Sequence, residues 1–220
     1  MNQNDTPDFI PTTVKPMEIE TGSFQIIDDE IGEHPFSELQ WPVVRRVIHA
    51  TADFDLGRSM QFQTHAVESG IAAIRAGKPV IADVGMVQAG ISKPRLAKYG
   101  GEVRVYISRP DVAEAAKAEE TTRAIIATRK AVEESPDGIF VIGNAPTALL
   151  ELIKLVKEGK ARPSLVIGVP VGFVSAEESK VELEKLSVPW ITNRGRKGGT
   201  PAAVAALNAL SLLAEAQDQP

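Results

Sequence analysis

The feature that most constrains this chain is an alternation that begins near residue 37. Short, mostly apolar runs are each followed by a turn rich in Gly, Pro or small polar residues, and then by a helix-like segment. The runs are PVIADV (79–84), EVRVYI (102–107), GIFVIG (138–143), SLVIG (164–168) and PWIT (189–192). Short apolar runs of this kind read as strands covered on both faces. Strands alternating with helices read as parallel βαβ units. The expected fold is therefore α/β, a three-layer α/β/α arrangement around a mostly parallel sheet of five or six strands.

The helical segments carry their own punctuation. Ser37 with Gln40 three residues on forms a capping-box pattern, and Trp41, Val44, Val47 and Ile48 follow as an apolar stripe. That helix runs to His49, after which the chain breaks into the polar stretch ATADFD. Further helices are expected over Ala66–Ala76, stopped by Gly77, over Val112–Glu134 as one long charged helix, over Ala145–Glu158, stopped by Gly159, and over Ala176–Leu186. A final Ala- and Leu-rich helix runs to Ala216, with Thr200 as its expected cap and Pro201 at its first position, where a missing N–H is tolerated.

The 220 residues suffice for one sizeable domain. Residues 17–220 are expected to form it, with residues 1–16 as a flexible or loosely docked arm. A net charge of −5 disfavours a nucleic-acid partner. No apolar run approaches the roughly 20 residues of a membrane span, and the start MNQNDTPDFIPTTVKP lacks the basic and apolar regions of a signal peptide. Cysteine is absent, which removes disulfides, thiol nucleophiles and thiolate metal sites together. A cytoplasmic location is the default expectation.

Ligands of open parallel sheets bind beyond the carboxyl ends of the strands. The segments there are GMVQAGISK, SRPD, NAPTAL, VPVGFVSAEESK and NRGRKGGT. Asn144, Ser175 and Thr200 can each cap the helix that follows, and free N–H groups at helix starts can hold carboxylates or phosphates. Arg194, Arg196 and Lys197 add positive charge in an otherwise acidic chain. An anion-binding edge is one reading; ordinary turn chemistry is the other. No segment matches a Walker loop or a Gly-x-Gly-x-x-Gly fingerprint, and no Gly-x-Ser-x-Gly elbow is present.

The three histidines, His34, His49 and His65, are 15 and 16 residues apart, which is no metal-ligand spacing on one helix. His34 precedes Pro35 and reads as structural; His65 stands near a helix start and reads as a surface or capping residue. His49 closes a helix, where the backbone dipole favours the protonated ring, and histidine changes charge near neutrality. A functional and a structural role both remain open for it on spacing alone.

Five blocks then carry a resemblance: HPFSELQWPVVRRVIHATADFD, DVGMVQAGISK, IGNAPTALLELI, GVPVGFVSAEESK and NRGRKGGTPAAVAALNAL. In this order and spacing, from about Met17 to Leu213, the chain resembles the precorrin-8X methylmutase family of cobalamin biosynthesis, more fully its cobalt-precorrin-8 branch. The resemblance implies a flavodoxin-like fold and a homodimer with active sites near the subunit interface. It implies an isomerase that moves a methyl group from carbon 11 to carbon 12 of a corrinoid tetrapyrrole, with no cofactor and no metal ligands of its own. His49 matches the family's catalytic histidine, a proton donor to the ring. Ser23 in GSFQII and Arg123 in TTRAII match its substrate-contacting Ser-Phe and Thr-Arg stretches. Asn144, Thr147, Ser175, Arg194 and Lys197 are looser candidates for the carboxylate rim of the substrate. Without the resemblance, Ser23 reads as a turn or cap and Arg123 as a solvated helix charge. Two other readings stand beside the isomerase: a non-catalytic tetrapyrrole-binding protein, and an unrelated α/β enzyme acting on a phosphorylated metabolite.

Overall fold

A computed structural model describes residues 16–218. In chain order its elements are α1 (Pro16–Ile31), α2 (Trp41–Thr51), α3 (Phe54–Arg58), β1 (Met60–Phe62), α4 (Ala66–Arg75), β2 (Val80–Ala82), α5 (Gly85–Gly90) and α6 (Lys93–Ala97). They continue with β3 (Val103–Val105), α7 (Pro110–Ala118), α8 (Arg123–Glu134), β4 (Ile139–Ile142), α9 (Pro146–Lys157), β5 (Leu165–Gly168), α10 (Ala176–Glu184), β6 (Trp190–Asn193) and α11 (Thr200–Ala216).

The six strands form one sheet in the order β1-β6-β5-β4-β2-β3. The five expected strands are all present and mutually parallel. The sixth, β1, is an antiparallel edge strand with Met60 opposite Asn193. Three residues with one polar member carry no readable period, so it was not expected. It matters for the site, because its antiparallel sense brings the α2–α3 corner to the carboxyl edge of the parallel strands.

Side chains alternate across the sheet as the pleat requires. Val80, Ala82, Ile139, Val141, Leu165, Ile167 and Ile191 enter one core, shared with α1–α6 and α11. Ile81, Phe140, Ile142, Val166 and Trp190 enter the other, shared with α7–α10. This is the three-layer arrangement that the apolar strands imply.

Three sequence expectations need correction. The long helix over 112–134 is two helices: Glu120 takes a left-handed φ of 50°, and Thr122 caps α8 by accepting the Ile125 N–H. Thr200 does not cap α11; the cap position is Gly199, and Pro201 falls in the second helical position. Asn144 does not cap α9 either, since Ala145 occupies the cap position without a side-chain bond. The capping box does form: Gln40 Oε1 accepts the Ser37 N–H at 3.1 Å and Ser37 Oγ accepts the Gln40 N–H at 3.3 Å. The expected arm lies outside the described residues except for Pro16, which opens α1, a helix the sequence did not announce.

α11 is the helix on which the first core closes. Ala202, Ala203, Ala206, Leu207 and Leu210 are fully buried in it. It lies along α2 and α4, and Gly70 of α4 has no room for a side chain against Leu210 and Leu165. Leu210→Ala is expected to lower stability by about 2–5 kcal/mol with an unchanged denaturant slope, measured by urea unfolding.

Candidate active site

His49 sits in the last turn of α2. The stripe that buries Val43, Val44, Val47 and Ile48 leaves the next position outside, so the imidazole is exposed. Ala52 then ends the helix in a left-handed conformation, φ 51°, its N–H donating to the Ile48 carbonyl at 2.7 Å. Asp53 starts α3 at once, its Oδ1 accepting the Leu56 N–H at 2.8 Å. The polar stretch is thus a tight corner between two helices rather than open chain.

The imidazole faces a cleft of about 250 Å³ between α1 and α2, lined by Ser23, Ile26, Ile27, Glu30, Ile48, His49, Ala52 and Phe54. Ser23 lies on α1, where its hydroxyl donates to the Ile19 carbonyl at 2.7 Å; it is neither a turn residue nor a cap. The edge of the Phe24 ring meets His49 with centroids 5.1 Å apart. Arg45 and Arg46 lie against the same ring at 4.6 and 5.3 Å and pair with Asp28 and Glu20, each at 2.8 Å.

The structure brings His49 and Ser23 into one cleft and links them to the loop after β6. Lys197 of that loop reaches Asp53 Oδ2 at 2.8 Å and Asp55 Oδ2 at 3.3 Å. The hydrogen bond with Lys197 holds the Asp53 carboxyl below its ordinary range, and the same bond raises the Lys197 ammonium. Lys197 is therefore already engaged, which the anion-receptor expectation did not foresee. Arg194 is exposed and 4.0 Å from Glu184. Arg196 lies 5.8 Å over the exposed Phe173 ring.

The other candidates do not line this cleft. Arg123 is the first residue of α8 and is exposed; Asn144 and Thr147 stand at the start of α9. Both helices belong to the opposite layer. Ser175 precedes α10 with φ 60° and makes no capping bond. The backbone just before α9 is held by Asp83, whose Oδ2 accepts the Asn144 and Ala145 N–H groups at 2.8 and 3.0 Å. Burial raises the Asp83 carboxyl. His34 stacks on Trp41, centroids 4.2 Å apart, in keeping with a structural role. His65 is exposed at the start of α4, with no capping bond.

One residue that sequence reasoning passed over is Lys180. It is 1 % exposed, and burial pushes its ammonium down to about 8, against a smaller opposing effect from Glu177. A signal was available: Ala176, Ser179, Lys180 and Leu183 share one helical face, so Lys180 occupies a core position of α10. Because the folded chain releases this proton near pH 8 and the unfolded chain near 10.5, the unfolded state binds more protons between those values. The contribution of Lys180 to stability therefore rises with pH across that window. Urea midpoints should show the natural chain gaining on Lys180→Met between pH 7 and pH 10.

Comparison with known proteins adds an independent line. The precorrin-8X methylmutase family profile matches residues 18–213. A cobalt-precorrin-8 methylmutase of Priestia megaterium is 62% identical over 208 residues, covering 94% of this chain and 92% of that protein. One of Leptospira interrogans serogroup Icterohaemorrhagiae serovar Lai is 48% identical, covering 89% and 92%. The crystal structure of a precorrin-8X methylmutase from Thermus thermophilus superposes with a TM-score of 0.84 at 45% identity, covering 90% of this chain and 98% of that one.

Proposed function

The chain belongs to the precorrin-8X methylmutase family, and from that premise we propose that His49 is the proton donor of a methyl shift on a corrinoid macrocycle. The chain is an isomerase of cobalamin biosynthesis. The observation that carries the assignment is the exposed imidazole at the end of α2, sharing a cleft with Ser23 and braced by the Phe24 edge.

The proposed substrate is precorrin-8, in its cobalt form by analogy with the relatives named above. A methyl group passes from carbon 11 to carbon 12 of the ring, within the molecule. Protonation of a ring nitrogen by His49 withdraws electron density from the neighbouring carbons and lowers the barrier to migration. The proton returns to the imidazole when the new bond is complete, so the reaction balances without an external donor. A positioned acid of this kind contributes about 10²–10⁴-fold, and holding the macrocycle in one pose contributes further.

Ser23 is proposed to contact the substrate beside His49. Arg123, Asn144, Thr147, Ser175 and Arg194 are proposed for the acetate and propionate rim, where guanidinium and N–H donors suit carboxylates. Arg123 and the start of α9 lie in the layer opposite His49, so they would act across an interface. A homodimer supplies such an interface, and it fits a cleft too small to enclose a macrocycle by itself. We read residues 17–220 as a single isomerase domain and place it in the cytoplasm; among the described residues no helix is long and apolar enough to cross a membrane. The tetrapyrrole-binding reading without catalysis is not favoured beside relatives named as methylmutases.

His49→Ala is expected to fold normally, since the side chain is exposed, and to lower kcat by about 10²–10⁴-fold, followed by the absorbance change of precorrin-8 or its cobalt form. Retained turnover would remove His49 from the chemistry. Sedimentation of the natural chain should give twice the monomer mass; a monomer at working concentration would remove the cross-interface role of Arg123.

A further inference from the structure

We propose that Lys180 is a positioning residue for this reaction: its buried ammonium grips the carbonyl of Lys197 and thereby sets Lys197 against Asp53 and Asp55, at the corner from which His49 projects. The proposal rests on the reading of His49 as the proton donor.

The grip is built from buried groups. Lys180 Nζ donates to the Lys197 carbonyl at 2.8 Å and to Asn193 Oδ1 at 3.3 Å. Asn193 is fully buried, and its Nδ2 donates to the same Lys197 carbonyl at 2.8 Å and to that of Arg194 at 3.0 Å. One peptide oxygen therefore receives two side-chain donors, one of them charged. Charged donors make the stronger bonds. Both partners of the ammonium are neutral, so its burial is costly. A chain that only needed to fill this space would do as well or better with an apolar side chain. The geometry offers a reason for the charge, because the ammonium fixes the loop at a single carbonyl.

The rest of the loop leaves little slack. Gly198 and Gly199 take φ values of 148° and 114°, and a Cβ on Gly198 would collide with the Val169 carbonyl oxygen. The Gly199 N–H donates to that oxygen at 2.8 Å, and the Gly172 N–H donates to the Arg196 carbonyl at 3.2 Å. The backbone is pinned on both sides of Lys197, and its ammonium extends toward the α2–α3 corner. There it meets Asp53, which caps α3 and lies four residues beyond His49, and Asp55. Lys180 thus reaches the imidazole through Lys197, Asp53 and the left-handed Ala52, without touching substrate.

The test compares Lys180→Met, Lys197→Met and the double variant in the full-length protein. Two readouts are taken: steady-state kinetics, and the His49 ring resonances, assigned among three histidines by their loss in His49→Ala. Each single variant is expected to lower kcat by roughly 10- to 100-fold, the scale of a displaced catalytic group, with KM changed by less than about threefold. Both are expected to shift the His49 signals. The double variant is expected to be no worse than the more severe single one, because the two lysines act in series. Multiplied losses, or unshifted His49 signals, would overturn the proposal. Should Lys180→Met fail to fold, Lys197→Met and Asp53→Asn cut the same chain at its exposed end, and unchanged kcat in both would overturn it equally. Failure of the His49 reading shows separately, as full turnover by His49→Ala whatever the lysine variants do.

Discussion

The position of His49 depends first on how closely α2 lies on α11. Val43, Val44 and Val47 of α2 are fully buried, and α11, which lies along it, carries a run of small, fully buried residues, Ala202, Ala203 and Ala206. Alanine lets two helix backbones approach, and α11 in turn rests on β4 and β5 at the centre of the sheet. Dispersion and burial are non-directional individually, but at close-packed density they leave one arrangement. The helix that ends in His49 is therefore seated, through α11, on the centre of the sheet, while the ring itself remains in solvent.

A second level of positioning is electrostatic. In the corner Ala52–Asp55, Phe54 packs against the first core, while the carboxylates of Asp53 and Asp55 are left for a charged partner. Lys197 crosses from the β6–α11 loop to meet both carboxylates. As exposed ion pairs these contacts contribute little to stability. Their consequence is geometric: they join the end of β6 to the end of α2, two segments more than 140 residues apart. The edge strand β1 makes this junction possible by pairing Met60 with Asn193. The same ion pairs change the meaning of the basic NRGRKGG run, because one of its three cations, Lys197, is paired with carboxylates of the protein itself.

Much of this was legible in the chain. The five parallel strands, the capping box of Ser37 and Gln40 and the inward stripe of α2 follow from local period and local chemistry, which survive folding unchanged. The misses have physical causes. β1 is too short to show a period. The break between α7 and α8 depends on a left-handed Glu120, and glutamate is not among the residues that signal that conformation. The entry to α9 is held by Asp83, the residue after β2 and 61 positions from Asn144, and no local rule can detect a bond made from so far. Lys180 could have been noticed, because a lysine on the Ala176–Leu183 face contradicts the pattern of its own helix. Its partners could not.

The sequence by itself determined the layer architecture and, through its resemblance blocks, the family; it also singled out the carboxyl edge and His49 as candidates. Those properties are encoded in neighbours along the chain. Only the tertiary structure decided that Ser23 shares a cleft with His49, that Lys197 is spent on Asp53 and Asp55, and that a buried ammonium holds the loop between them. Each of those depends on the docking of distant segments, and hydrogen bonds and ion pairs form only once packing has brought their partners within about 3 Å.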